Sequence, residues 1–105
     1  MPSSRSYKEF IADQLSGLEG VSWRAMMGEF ILYYRGVIVG GIYDDRLLVK
    51  PAEAARRLMP DSPFETPYEG AKPMLLVDRV EDRSFLEELL EAVYAELPAP
   101  KKKKS

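Results

Sequence analysis

The feature that most constrains this chain is a run of short strand-forming segments joined by very short connections. Over residues 21–50, β-branched and aromatic residues cluster, and turn-forming pairs interrupt them at Arg35-Gly36 and Asp44-Asp45. Connections this short cannot make the crossover that parallel strands need, so neighbouring strands must be antiparallel. The sequence therefore predicts a four-stranded meander, with a first turn at Gly28 and Glu29 and strands over Val21–Met27, Phe30–Tyr34, Val37–Tyr43 and Arg46–Lys50.

Segments with helical character precede and follow this meander. Apolar residues recur at helical spacing near both ends of the chain, behind capping boxes that begin at Ser6 and Ser84, with Asp82 as an alternative cap for the second. An alanine-rich stretch between them ends at Pro60. The other predicted elements are a first helix from about Ser4 or Ser6 to Leu18, a second helix over Ala52–Met59, a fifth strand over Met74–Val80 and a last helix from Ser84 to Leu97.

The predicted order α-β-β-β-β-α-β-α indicates an α+β fold. We expect two layers, in which a mainly antiparallel five-stranded sheet packs against the helices. Residues 1–97 would form this domain, and residues 98–105, rich in proline and lysine, a flexible tail. Residues 61–73 are rich in prolines and turn formers and predict a loop, which Phe64 and Tyr68 are expected to anchor to the core.

Apolar residues occupy both faces of the second and third strands, although a sheet covered on one side should alternate apolar and polar residues. Simple alternation places Phe30, Leu32 and Tyr34 on one face of the second strand, and Val37, Val39 and Tyr43 on one face of the third. Either the short second helix or the proline-rich loop covers the other face, or that face binds a second copy or another partner. The interaction surface that we expect consists of Ile31, Tyr33, Ile38 and Ile42, with Arg24 near its edge.

A site for a small anionic ligand or a nucleotide is the alternative. Gly40 and Gly41 would weaken a strand unless a bulge, close packing or a ligand needs bare backbone there, and no glycine-rich phosphate motif surrounds them. Arg24 would by default pair with an acid of the last helix, but its guanidinium could also bind an anion. The alternative ligand site therefore comprises Arg24, Gly40, Gly41 and Lys50.

The residue types argue against catalysis. The chain has no cysteine and no histidine, which excludes thiolate and imidazole metal sites and the Cys–His and Ser–His catalytic pairs. Asp44 and Asp45 are adjacent acids, but a hairpin turn is their simpler role. We expect no catalytic residue, no metal and no cofactor. The longest uncharged run near the middle, residues 36–43, is too short for a membrane helix, and we expect a cytoplasmic protein.

Charge is unevenly distributed along the chain. The net charge is −2, but without Lys101, Lys102, Lys103 and Lys104 eleven basic residues face seventeen acidic ones. Six of those acids lie within residues 81–96. A nucleic-acid-binding domain normally carries a basic stripe, so nucleic acid is an unlikely partner except weakly through the lysine tail. The tail is expected to be a solvated end, or else to contact the acidic last helix through salt-sensitive interactions.

The stretch from Arg24 to Tyr33, Arg-Ala-Met-Met-Gly-Glu-Phe-Ile-Leu-Tyr, resembles the signature of TfoX N-terminal domains, which is Arg-x-Met-Phe-Gly followed by an aromatic-rich strand. Met27 stands where Phe is usual and Glu29 where a second glycine is common. The resemblance extends over about residues 4–97 and is closest to stand-alone, single-domain members. It implies a small α+β unit and a link to regulators of natural competence, which assist transcription through protein contacts. We therefore expect a non-enzymatic protein-interaction domain whose partner is another protein or a second copy of itself.

Overall fold

The structure is a computed structural model that describes residues 4–97. The tail predicted for residues 98–105, with its four lysines, lies outside the described residues. The helices are α1 (Arg5–Gln14), α2 (Glu53–Leu58) and α3 (Arg83–Glu96), and the strands are β1 (Val21–Met26), β2 (Glu29–Tyr34), β3 (Val37–Tyr43), β4 (Arg46–Val49), β5 (Phe64–Glu65) and β6 (Met74–Leu76).

The strands form one antiparallel sheet in the order β1-β2-β3-β4-β6-β5. The predicted α+β fold with a meander at its centre is confirmed, although the sheet has six strands and not five. The additional strand is β5, a two-residue segment inside the predicted loop, whose pairing with β6 adds a short edge to the sheet. The predicted fifth strand corresponds to β6, which ends at Leu76 and not at Val80.

Side-chain caps explain where the two longer helices begin. Ser4, and not Ser6, is the N-cap of α1, and its hydroxyl accepts a hydrogen bond from the Tyr7 N–H. Asp82, the alternative in the sequence, caps α3 by accepting from the Phe85 N–H. α2 has no side-chain cap of its own, and the carboxylate of Glu96 from α3 accepts from two of its first N–H groups instead.

Three tight turns join the first four strands, and both central residues of each have positive φ: Met27-Gly28, Arg35-Gly36 and Asp44-Asp45. This is the type I′ geometry, whose twist matches that of the strands it joins. The first turn is one residue earlier than predicted because Gly28 takes the second central position, as Gly36 does in the next hairpin. Glu29 then begins β2, and its carboxylate accepts a hydrogen bond from the backbone N–H of Asp44.

A bulge interrupts the pairing of β2 with β3. Leu32 pairs with Gly40, whereas the next residue of β2, Tyr33, pairs with Ile38. Val39 is therefore an additional residue in β3 that has no partner across the ladder. A bulged strand keeps its hydrogen bonds on either side of the additional residue, so the alternation of its side chains shifts by one position.

This shift overturns part of the predicted pattern of β3. Ile42 lies in the main apolar cluster and is fully buried, so the prediction that it shares an exposed face with Ile38 is wrong. Tyr43 was predicted to share a face with Val37 and Val39, but it lies on the same face as Ile38. The physical reason is the same for both residues, because each follows the additional residue in the strand.

All three helices pack on one face of the sheet, which we call the core face; the other is the outer face. Their buried side chains and most of those of the strands form one cluster: Ile11, Leu15, Leu32, Tyr34, Val37, Val39, Ile42, Leu47, Val49, Ala55, Met59, Leu75, Val77, Phe85, Leu86, Leu89, Leu90 and Val93. The amide of Gln14 is also buried and donates to the Val80 carbonyl, which ties α1 to the segment before α3.

Candidate functional site: an apolar groove on the outer face

The outer face carries a groove of about 360 Å³ between the sheet and the segment that follows β5. Met26, Ile31 and Ile38 from the first three strands form its floor, together with Gly40 and Tyr43 of β3. The remaining lining residues come from the end of β4 and from the covering segment: Lys50, Pro51, Pro67, Tyr68, Ala71, Lys72, Pro73 and Met74. The groove is therefore a sheet surface with one added wall, and most of its lining is apolar.

Two contacts and the burial of one proline hold the wall in place. Pro67 is buried, and the ring of Tyr68 lies 6.1 Å from that of Tyr43 across the face of β3. Glu65 of β5 forms an ion pair with Arg46 of β4, which ties the start of the segment to the sheet. This arrangement confirms that the proline-rich loop, rather than the second helix, covers part of the second face.

The predicted anchors of this loop need a correction. Phe64 and Tyr68 are 52% and 55% exposed, so neither inserts into the core. Tyr68 still contacts Tyr43, but Phe64 is held through its backbone, because β5 pairs with β6. Pro67, whose side chain is buried, anchors the segment more deeply than either aromatic residue.

Two cations stand at this otherwise apolar groove. Lys50 follows β4 and is half-buried, and Lys72 lies on the wall and is exposed. Neither ammonium group has a carboxylate partner within 4 Å in the part of the chain that the structure describes. The nearby phenol of Tyr43 stays neutral, since burial, and then the neighbouring Tyr68 and Glu29, raise its pKa. The groove therefore combines apolar walls with positive charge that no carboxylate of residues 4–97 neutralises.

The structure brings together members of both predicted sites. Ile31 and Ile38 from the interaction surface and Gly40 and Lys50 from the alternative ligand site all line the groove. Ile38 is 38% exposed, so the covering segment leaves it open to solvent. Ile42 is the member that the structure removes, because it is buried in the core.

Arg24 and Tyr33 share the outer face but lie beyond the groove lining. Arg24 pairs with Ile31 across β1 and β2, and Tyr33 pairs with Ile38 across β2 and β3. Residues directly opposite each other in a sheet have side chains on the same face. The expected ion pair between Arg24 and the last helix is therefore wrong, because α3 packs on the other side of the sheet.

Close packing accounts for both strand glycines. A Cβ at Gly40 would run into the backbone of β4 at Leu48 and Val49. A Cβ at Gly41 would lie 2.6 Å from the Phe30 carbonyl oxygen and 2.7 Å from the ring of Tyr43, which covers this residue. Gly41 is consequently shielded from a ligand, whereas the backbone of Gly40 remains part of the groove.

The adjacent acids Asp44 and Asp45 form the turn between β3 and β4. Asp45 accepts hydrogen bonds from the backbone N–H and hydroxyl of Ser4, and Asp44 lies in the turn before it. Among residues 4–97 no cluster of three or more acidic side chains is placed to hold a metal ion.

Sequence reasoning missed the side of the groove that the wall supplies. Ala71, Lys72 and Met74 line it, yet none of them belongs to a motif. The available signal was indirect: two-faced apolar strands need cover, and the proline-rich loop was one candidate for it. The pairing of β5 with β6 decides which residues of that loop contact the sheet. A strand of only two residues is too short to be recognised in the sequence.

The sequence profile of the TfoX N-terminal domain matches residues 13–97. A curated relative from Spirochaeta aurantia, described as an uncharacterised 12.7 kDa protein in the trpE 5′ region, is 36% identical over 106 residues, covering all of this chain and 92% of the relative. No solved structure gives a significant match. No helix within residues 4–97 has the length and apolar character needed to span a membrane.

Proposed function

This chain belongs to the TfoX N-terminal domain family, and from that premise we propose that it is a non-enzymatic protein-interaction domain with a regulatory role in transcription or competence. The family is not known for enzymatic activity. As part of the same proposal the protein acts in the cytoplasm, where partners of the transcription apparatus are found. The binding surface is the part of the outer face that the covering segment leaves open.

The observation that carries the proposal is an uncovered apolar area beside β1. We call Arg24, Ile31, Tyr33 and Ile38 the open patch. Ile38 is 38% exposed, Ile31 and Tyr33 are half-buried, and Arg24 is exposed at the border. Contiguous apolar surface bordered by charge is typical of protein-binding sites, and tyrosine and arginine are the residues that most often dominate their energetics.

The charge of the open patch indicates the kind of partner. Arg24 has no ion-pair partner among the residues that the structure describes, whereas acids concentrate on and around α3, on the opposite side of the molecule. A partner protein with an apolar centre and an acidic border complements this patch. A second copy of this chain is the competing occupant, and it is distinguished by the oligomeric state of the purified protein.

The proposal is tested with paired surface variants. The full chain is expressed with a tag in its own cells, crosslinked and recovered, and the same is done with Tyr33→Asp and Ile38→Asp. Phe10→Asp is the matched control, because Phe10 is 39% exposed on α1, in the helical layer on the other side of the sheet. We expect both open-patch variants to weaken binding of the recovered partner at least about tenfold, as truncation of a central contact does, and the control to retain it.

Light scattering of the purified chain completes the test. A dimer that Tyr33→Asp and Ile38→Asp both dissociate would assign the open patch to self-association. A monomer whose crosslinked partners are the same for wild type and both variants would refute the proposal. Circular dichroism of each variant establishes that loss of binding is not loss of folding.

A further inference from the structure

We propose that the groove is a binding site for a small amphiphilic anion, a molecule with a carbon-rich body and one carboxylate or phosphate group. The body would lie on Ile31, Ile38 and Met26, and the anionic group would meet the ammonium groups of Lys50 and Lys72. This inference does not rest on the protein-binding role proposed above. The two sites share Ile31 and Ile38 but differ in their charged residues.

The size of the groove sets the size of the ligand. Its volume of about 360 Å³ lies at the small end of the range found for small-molecule sites. At roughly 30 Å³ for each non-hydrogen atom, the share of one water molecule in the liquid, it accommodates about a dozen such atoms. That is too small for a dinucleotide and suits a medium-chain acid or a substituted aromatic ring.

The lining determines the body of the ligand. The floor presents the side chains of Met26, Ile31 and Ile38, and the wall presents buried Pro67 and the ring of Tyr68. Apolar walls with few polar groups select a hydrocarbon body, because a polar body would lose its hydrogen bonds to water without replacement.

The lysines determine the head group. Lys50 is half-buried beside this apolar surface, and neither it nor Lys72 is neutralised by a carboxylate of the described chain. A partly desolvated ammonium without a counter-charge gains from an anion more than a fully solvated one does. Lysine binds carboxylate and phosphate as a point charge, so both head groups satisfy the site.

The positive charge of Lys50 and Lys72 also argues against the lysine tail of this chain as the occupant of the groove. Residues 101–104 are four lysines, which carry the same charge as Lys50 and Lys72. Like charges disfavour docking of that segment in the groove, whereas an anion from outside the chain is favoured.

The probes are decanoate, which has twelve non-hydrogen atoms, decyl phosphate and uncharged decanol. Binding to the full chain is measured by titration calorimetry at low and high salt, below the concentration at which each probe forms micelles. We expect both anions to bind at least about tenfold more tightly than decanol, with an advantage that shrinks at high salt. The stronger of the two anions assigns the head group as carboxylate or phosphate.

Two charge-matched variants locate the site. Lys50→Gln should remove most of the difference between decanoate and decanol, whereas Arg24→Gln removes one positive charge from the same face outside the groove and should leave it unchanged. Ala71→Leu narrows the groove and should weaken decanoate and decanol alike. Thermal melts confirm that each variant is folded.

Three results would overturn the inference: no saturable binding of any probe, equal affinity for decanoate and decanol, or an equal loss in Lys50→Gln and Arg24→Gln. These outcomes are separable from failure of the proposed protein interaction. Tyr33→Asp should leave decanoate binding intact because Tyr33 is outside the groove lining, and Lys50→Gln should leave the protein complex intact because Lys50 is outside the open patch.

Discussion

The two faces of this sheet differ in how completely the chain covers them. On the core face three helices and the strands bury a continuous apolar cluster, to which even the polar Gln14 and Tyr34 are fitted through hydrogen bonds. On the outer face a single proline-rich segment lies beside β3 and β4, and Ile38 remains exposed. The same strands therefore bury apolar side chains completely on one face and leave some exposed on the other, so the effect of a substitution depends on which face it changes.

The largest predicted difference between the faces concerns two isoleucines of one strand. Ile42 is fully buried on the core face, whereas Ile38 is 38% exposed on the outer face. Ile42→Ala should lower the free energy of unfolding by about 2–5 kcal/mol, because it leaves a cavity in packed surroundings. Ile38→Ala should cost about 1 kcal/mol or less, because the side chain is already partly exposed and solvent fills the space that it leaves. Urea denaturation of both variants measures the difference.

This pair also tests the bulge. Without the additional residue at Val39, the two isoleucines would lie on the same face and their substitutions would cost similar amounts. Equal destabilisation by Ile42→Ala and Ile38→Ala would therefore contradict the register described here.

The next effect in size concerns the glycine at the bulge. Gly40→Ala would push a Cβ into the backbone of β4, which cannot move aside as a side chain can, so we expect a loss of about 1–3 kcal/mol. Gly17→Ala is the control, since its Cβ would meet only the end of the flexible Glu87 side chain, and it should change stability by no more than about 0.5 kcal/mol. Chemical denaturation measures both, and a neutral Gly40→Ala would disprove the close approach.

The smallest predicted loss of stability at neutral pH comes from removing a hydrogen bond made by a tyrosine on the core face. The Tyr34 hydroxyl donates a 2.7 Å hydrogen bond to the carboxylate of Glu91, and Tyr34→Phe should cost about 1 kcal/mol because exposed Glu91 regains water. Burial, followed by that hydrogen bond and the charge of Glu91, raises the pKa of Tyr34 above the ordinary tyrosine value of 10.0.

The raised pKa fixes the direction of a pH dependence. Below pH 10.0 the phenol is protonated in both the folded and the unfolded chain, so its full contribution to the stability of the fold is present. Above that pH the unfolded chain loses the proton first, and the stability of the fold declines as pH rises. Tyr34→Phe should decline less steeply above pH 10 than the wild type, as monitored by thermal melts. The two slopes would be the same if the phenol titrated alike in both states.

Local signals in the sequence were sufficient for most of the fold. Gly28, Gly36 and the paired acids indicated hairpins, since tight turns need residues that tolerate positive φ. Apolar periodicity located α1 and α3, and Asp82 was already a candidate cap. Each of these features is determined by residues close together in the chain, so each can be recognised from the sequence alone.

The sequence did not determine which face each side chain of β3 occupies, or which residues complete the lining of the groove. Gly40 and Gly41 suggested a bulge, but the position of the additional residue depends on which partners β2 and β4 provide, and that moved Ile42 from the predicted surface into the core. Lys72 and Pro67 reach the groove only because β5 pairs with β6 and Glu65 binds Arg46. Contacts between residues far apart in the chain decided both outcomes.

The order of the strands restricts how another strand could extend this sheet. β1 has six residues and ends the sheet on one side, whereas β5 ends it on the other with two. A six-residue edge strand has enough backbone donors and acceptors to pair with another strand, whereas a two-residue edge strand has too few. Sheet extension would thus join two molecules β1 to β1 and stop there, because the outer margins of such a pair are too short to recruit a third.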